Sequence, residues 1–235
     1  MQRVRAAVTG GGFQLAMARA REGTAPARSV PLSGTATVTR AWETWPNGEF
    51  RQRIAQAERS AEQAQHGYGI RNPRSGAMGR YQLLPNTLLD IGWKDGQGNW
   101  TATARQAGAS SDAEFLANPS AQEAAFSAYL RRTETLIDRN GALAQRGTVI
   151  RGVNGQDIML IESGMVAAAH RRGAGSLARY IAHRTNTPEA PVAARDRRAF
   201  AAVARRLQDF GEVAYASLRP APRAVAGLEP RSRDL

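Results

Sequence analysis

Glu58 and the segment Asn72-Pro73-Arg74-Ser75-Gly76-Ala77-Met78-Gly79-Arg80-Tyr81-Gln82-Leu83 are the part of this chain whose residue types suit chemistry. Glycines at 67, 69, 76 and 79 make residues 63–80 a loop that can bring its backbone close to a ligand. A lone carboxylate beside such a loop suits proton transfer. A carboxyl partly withdrawn from water resists ionisation, stays protonated nearer neutral pH and can serve as a general acid. Glu58 lies four residues after Ile54, on the edge of a stripe formed by Phe50, Ile54, Ala57 and Ala61. That position turns its side chain toward a core or a cleft, whereas the plainer reading of the same residue is a solvated helix-surface glutamate. His170 ends a run of small and apolar residues, Met165 to Ala169, and is either a site residue or a buried, hydrogen-bonded core histidine. Trp93 and Trp100 flank a second glycine-rich loop, where they either stack on sugar faces or anchor the loop to the core.

The elements that must hold these residues are mostly helical. After the period that starts at Phe50, Pro85-Asn86-Thr87 reads as a turn or helix start. The clearest helix follows Asn118 at the N-cap and Pro119 in the first turn, buries Ala121, Ala125, Phe126, Tyr129, Leu130, Leu136 and Ile137, and stops at Asn140-Gly141. Thr148-Val149-Ile150 and Asp157-Ile158-Met159 flank Asn154-Gly155, which predicts a two-stranded hairpin. Ser163 caps the next predicted helix, which ends at Gly173-Ala174-Gly175, small residues that would let the following helix with Leu177, Tyr180 and Ile181 pack close. Thr187 to Pro191 reads as a linker or turn. A long amphipathic helix is predicted from Ala193 to Leu218, with Phe200, Val203, Leu207, Phe210 and Val213 on one side and arginines on the other. Residues 1–45 read as an extension with a short helix near Phe13 to Arg21, and the end carrying Pro220, Pro222 and Pro230 as extended or disordered.

A chain of 235 residues, 42% hydrophobic and 22% charged, has the composition of a folded protein with a real core. Its net charge of +12 rests almost wholly on arginine, since Lys94 is the single lysine. Such a balance suits nucleic acid, anionic membrane surfaces or acidic wall polymers, or is simply a solvated basic surface. The arginines are scattered rather than clustered with aromatics, which argues against nucleic acid. Cysteine is absent, so no disulfide framework or thiolate metal site is available. No apolar run is long enough for a membrane span, and the basic start Met1-Gln2-Arg3-Val4-Arg5 is followed by Gly10-Gly11-Gly12 rather than by the apolar stretch of a secretory signal.

A helix bearing one Glu, then Ser75 to Gln82 followed by Pro85 and Thr87, then a small-residue helix ending Ala168-Ala169-His170 with Gly173 and Gly175 after it, resembles the peptidoglycan lytic transglycosylases of the lysozyme-like superfamily. The likeness is strongest to versions found in bacteriophage and other virion-associated cell-wall enzymes, and it covers about residues 50 to 183. The resemblance implies a mainly α lysozyme-like domain with a small β-hairpin over residues 46–187, an N-terminal extension over 1–45, and a C-terminal helix with a basic tail over 188–235. It makes Glu58 the catalytic residue and places Ser60, Gly79, Tyr81, Gln82 and His170 on the substrate side, with Gln82 bonded to the glutamate or the sugar. His170 stands where the family usually has tyrosine and Arg171 where it has asparagine, while Arg59 intervenes between Glu58 and the serine that often follows directly. Glu62, one turn on, is the rival carboxylate.

The implied reaction cleaves the bond between N-acetylmuramic acid and N-acetylglucosamine and closes a 1,6-anhydro ring, with no cofactor and no metal. The expected partner is the peptidoglycan strand, with the terminal extensions available for docking onto a phage-like tail or envelope machine, in a periplasmic or virion-associated setting. Two other readings remain open. A hydrolytic muramidase would need a second carboxylate about 5 to 9.5 Å from the first, for which Asp90 and Asp95 are nearest in sequence; a structural assembly protein would keep the fold without cleaving.

Overall fold

The structure is a computed structural model that describes residues 39–219. The predicted short helix at 13–21 and the proline-rich end lie outside the described residues. Within them the protein is mainly helical, with one small two-stranded antiparallel sheet.

Helix α1 spans Gly48–Ala57 and buries Phe50, Arg51, Ile54 and Ala55. It is shorter than the stripe ending at Ala61 predicts, and Ala57 is exposed. Glu58 is the C-cap, and Arg59 turns the chain at φ 58°. Two short helices follow the loop, α2 (Pro85–Asp90), which starts at its proline as predicted, and α3 (Ala102–Gln106). Next comes α4 (Asp112–Ala117), capped by Ser111. These last two escape the periodicity because each is too short to show one.

Helix α5 (Pro119–Arg139) has the predicted limits: Asn118 accepts from the Ala121 amide at 3.0 Å, Pro119 fills the first turn and Asn140 is the C-cap. Its apolar residues Ala121, Ala125, Phe126, Leu130 and Ile137 are fully buried. Glu123 and Glu134 are fully buried as well, and Gln122 nearly so. The helix therefore has no broad solvated face, and its polar side chains serve as internal partners for the loops around it.

Strands β1 (Val149–Arg151) and β2 (Asp157–Met159) form the predicted hairpin, with Ile150 opposite Ile158 and both side chains on the buried face. Helix α6 (Glu162–Arg172) buries every residue from Ser163 to Ala169, as a helix apolar all round must. Its N-cap is Ile161, not Ser163; the Ser163 hydroxyl donates instead to the Phe210 carbonyl at 2.9 Å. Helix α7 (Ala174–Asn186) follows directly from Gly173, whose φ of 81° and ψ of 151° suit glycine alone. A Cβ at Gly173 would meet nothing, so that glycine bends the chain rather than admitting a neighbour.

Helix α8 (Ala194–Asp209) stops well short of the predicted Leu218. Beyond Phe210 the chain runs back across the core: Asn47 clasps the backbone of Ala216, and Glu134 accepts from Tyr215, Ser217 and the Leu218 amide. Close approach occurs between α6 and α8. A Cβ on Gly164 would lie 2.9 Å from the Leu207 carbonyl oxygen, so backbone meets backbone there. Phe200, Val203, Ala204, Leu207 and Phe210 join the same core as Phe50, Ile54 and Phe126. Within the stretch read as a C-terminal helix with a basic tail over 188–235, α8 thus packs into the core. No helix among the described residues is long and apolar enough to cross a membrane.

Candidate active site

The site starts from the end of α1. The Ser60 amide bonds back to the Ala55 carbonyl at 2.9 Å after the left-handed turn at Arg59. Glu58 is thereby left at the rim of a cleft of about 240 Å³, lined also by Asn72, Ser75, Gln82, Thr87, Tyr129, His170 and Arg171. Among the described residues Glu58 is the one carboxylate in that lining.

Buried polar groups hold the far wall. Glu123 pairs with Arg51 at 2.6 Å, both fully buried, and its other oxygen accepts from the hydroxyls of Tyr68 and Tyr81 at 2.6 and 2.7 Å. Burial and then the Glu123 charge push both phenols well above their ordinary range, which keeps them as donors. The Arg51 guanidinium is completed by Ser127 and the Pro46 carbonyl. Gln122 accepts from the Arg80 amide at 2.9 Å and donates to the carbonyls of Tyr68 and Phe115. Arg80 lies over Trp42, 3.7 Å from the ring centroid, and donates to the His66 carbonyl and to Gln52. Gly79 turns at φ 70°, and a Cβ there would sit 2.0 Å from the Gln122 side-chain oxygen. Only glycine fits that turn. Gln82, at φ 49°, completes it by donating its side-chain amide to the Gly79 carbonyl at 3.0 Å.

Three groups face Glu58. Arg206 from α8 donates to Oε1 at 2.6 Å, Arg171 stands 3.5 Å from Oε2, and His170 Nδ1 is 3.8 Å from Oε1. The carboxylate is 11% exposed. The desolvation expected from its place beside the stripe is therefore present, but guanidinium groups share the surroundings. His170 is itself almost buried, and burial is the main cause that moves its pKa down from 6.5, against the opposing pull of Glu58 and with some help from Arg206 and Arg171. A neutral ring follows at pH 7. Its Nε2 lies 3.1 Å from the Tyr81 carbonyl, which can only accept, so the proton sits on Nε2 and Nδ1 turns a lone pair toward Glu58. The edges of Phe126 and Tyr129 pack against the ring.

The His170 arrangement has a measurable consequence. In the unfolded chain the ring takes up a proton near pH 6.5, while the folded protein resists it to a lower pH. Between those two values the unfolded state binds more protons, so stability falls as the pH drops through this window and is fully present above it. Thermal unfolding followed from pH 7.5 to 5.0 is expected to show a steeper loss below 6.5 for the parent than for His170→Gln. Equal slopes would mean that His170 is not held neutral.

The residues expected at the site divide into two groups. Glu58, Gln82 and His170 line the cleft together. Ser60, Gly79 and Tyr81 stand behind it. Ser60 is buried with its hydroxyl between the carbonyls of Ala55 and Arg80, and Tyr81 is stacked on Phe126 with its ring centroid 3.8 Å away. They support the wall rather than present side chains to a ligand. Gln82 bonds its own loop, not Glu58. Glu62 is exposed away from the cleft. Asp90 accepts from Nε and Nη2 of Arg132, and Asp95 accepts from the Gln97 and Asn99 amides of its own loop. Trp93 and Trp100 are buried anchors, the latter donating to Asp112.

Tyr129 and Arg206 are the site residues missing from the sequence reading. Tyr129 belongs to a stripe that predicts only core, and burial raises its phenol to about 12, so it stays protonated. Arg206 lies 148 residues from Glu58 on an amphipathic helix whose arginines read as a solvated face. A larger depression, about 1080 Å³, lies between α1, the hairpin and the end of α8, and neither Glu58 nor His170 lines it. Among the described residues no group of three or more His, Asp or Glu could hold a metal. Comparison with known proteins finds no matching family model, no matching curated protein and no matching solved structure.

Proposed function

We propose that this protein is a peptidoglycan lytic transglycosylase with a lysozyme-like domain, and that Glu58 is its acid and base. The observation that carries the reading is a single, mostly buried carboxylate at the rim of a polar cleft, next to a rigid Gly79–Gln82 turn and a neutral His170. One carboxyl suffices for this reaction. Protonated Glu58 gives its proton to the glycosidic oxygen as the bond to C1 of the muramic acid breaks, and the sugar gains oxocarbenium character. The muramic acid's own 6-hydroxyl then bonds to C1, and its proton returns to Glu58. No water is consumed and the carboxyl ends as it began. The Nδ1 lone pair of His170 is the uncharged acceptor facing Oε1, and the 3.8 Å separation has room to tighten around bound substrate. Tyr129, with its phenol intact, offers a sugar both an aromatic surface and a hydrogen-bonding hydroxyl.

The lining favours this reading over hydrolysis. A muramidase needs a second carboxylate to act as nucleophile or to activate water. Asp90 and Asp95 are both engaged outside the cleft. Mass spectrometry of digested sacculi tests the proposal: muropeptides ending in 1,6-anhydromuramic acid are expected. Reducing ends alone would make the protein a muramidase. Tight binding to sacculi with no soluble product would make it a wall-binding structural component.

A further inference from the structure

On the far side of Glu58 from His170 a second groove opens, about 540 Å³ in volume. Glu58 and Arg171 line both concavities, so the groove continues the cleft past the reacting carboxyl. Its charged lining consists of Arg59, Arg171, Arg198, Arg205 and Arg206 against Glu58 and Asp209. One face of α8 forms the floor: Arg198 and Arg205 stand seven residues apart, with Ala201 and Ala202 between them keeping the floor low. Arg59, Arg198 and Arg205 are exposed and have no carboxylate partner among the described residues.

Arg206 supplies an independent observation. Its side chain is 7% exposed and gives Nη2 to Glu58, while its Nη1 is buried with no hydrogen-bond partner among the described residues. A buried donor left unmade is costly, and a charged one more so. A guanidinium fork with one arm committed and the other buried and unpaired, at the head of a groove with other arginines, suits an oxyanion that draws that arm toward it. Nucleic acid is a poor match, because the lining contains no aromatic side chain on which a base could stack.

We infer that this groove is an anion subsite that takes the carboxylates of the peptide-bearing lactyl side of the glycan, with Arg198, Arg205 and the free arm of Arg206 as its donors. The inference rests on the proposed glycan cleavage, because the anion must be attached to the strand that passes Glu58. The groove would then decide which strands are accepted. Peptide-substituted glycan gains charge-assisted hydrogen bonds along α8, and a neutral strand of the same length gains none. An anion there also competes with Glu58 for Arg206 and Arg171, so strand binding loosens the pairing that restrains the carboxyl.

The test measures calorimetric binding of two probes to the full chain carrying Glu58→Gln, which prevents turnover. The probes are a murein tetrasaccharide with its peptide stems and chitotetraose. The peptide-bearing probe is expected to bind about tenfold or more tightly, a difference of about 1.4 kcal/mol, and to weaken as salt rises. Adding Arg198→Ala and Arg205→Ala, both exposed positions, is expected to remove the preference while chitotetraose binding stays the same. Lysine at both positions should restore part of it. Equal binding of the two probes with and without the arginines would overturn the subsite and leave the glycan reading standing. Loss of preference to inorganic phosphate but not to acetate at equal ionic strength would reassign the groove to a phosphate-bearing polymer and overturn the carboxylate assignment. Binding of neither probe would remove the glycan reading, and this inference with it.

Discussion

Glu58→Gln is expected to lower the release of anhydro-ended muropeptides from sacculi by about 10²- to 10⁴-fold, the share that a positioned acid and base contributes. The substitution keeps the shape of the side chain and an oxygen that can still accept from Arg206 Nη2, so the link between α1 and α8 survives. An amide has no proton of suitable acidity to give to the glycosidic oxygen and cannot take one from the 6-hydroxyl. Both halves of the reaction fail together. The readout is initial rate by mass spectrometry, with thermal unfolding alongside to confirm a folded protein. A variant that releases anhydro products at the parent's rate would remove Glu58 from the chemistry. Its other neighbours make the outcome specific, since no further carboxylate among the described residues lines the cleft to take over.

Glu123→Ala is expected to give the largest loss of stability, about 3 to 5 kcal/mol, the cost of leaving a buried charge without its partner. Arg51 is fully buried and pairs with Glu123 at 2.6 Å. Removing the carboxylate also strips the acceptor from the Tyr68 and Tyr81 hydroxyls, and Tyr81 forms the turn behind the cleft. Urea unfolding gives the stability, and the same sample should show weakened glycan binding because the Gly79–Gln82 wall loses its anchor. Glu123→Gln separates the two effects. It leaves an oxygen for the tyrosines while Arg51 stays unpaired, so it should recover binding more than stability. An unfolding free energy within about 0.5 kcal/mol of the parent for Glu123→Ala, the range of ordinary surface changes, would show that the network contributes little.

These two residues also mark how far the sequence could be read. Helix α5 was legible at both ends because Asn118, Pro119 and Asn140 are local signals, and the hairpin because Asn154-Gly155 is one. The place of Glu58 beside a cleft was legible because its spacing from Ile54 and the glycine loop after it are local too. Glu123 and Glu134 were not, since a carboxylate on a helix looks the same whether it meets water or a buried arginine 72 residues away. Arg206 was hidden in the same way among the arginines of an amphipathic helix. Ser60 and Tyr81 sit at the right place in the chain but point inward, a choice made by Phe126, Glu123 and the Arg80 carbonyl rather than by any neighbour in sequence. The early end of α8 follows from Glu134, which draws the chain beyond Phe210 back over the core.

The contact between Gly164 and Leu207 bears on how such a protein can change over time. Helix α8 cannot be traded as a module, although its position near the end of the chain and its polar outer face make it look like one. A replacement tail would need a backbone able to come within reach of a glycine on α6 and an arginine where Arg206 meets Glu58. Each half of that requirement constrains the other, because a small sideways shift of the helix would carry the guanidinium off the carboxylate. Drift in the tail is therefore answerable to the carboxylate at the end of α1, and changes in one must be matched in the other.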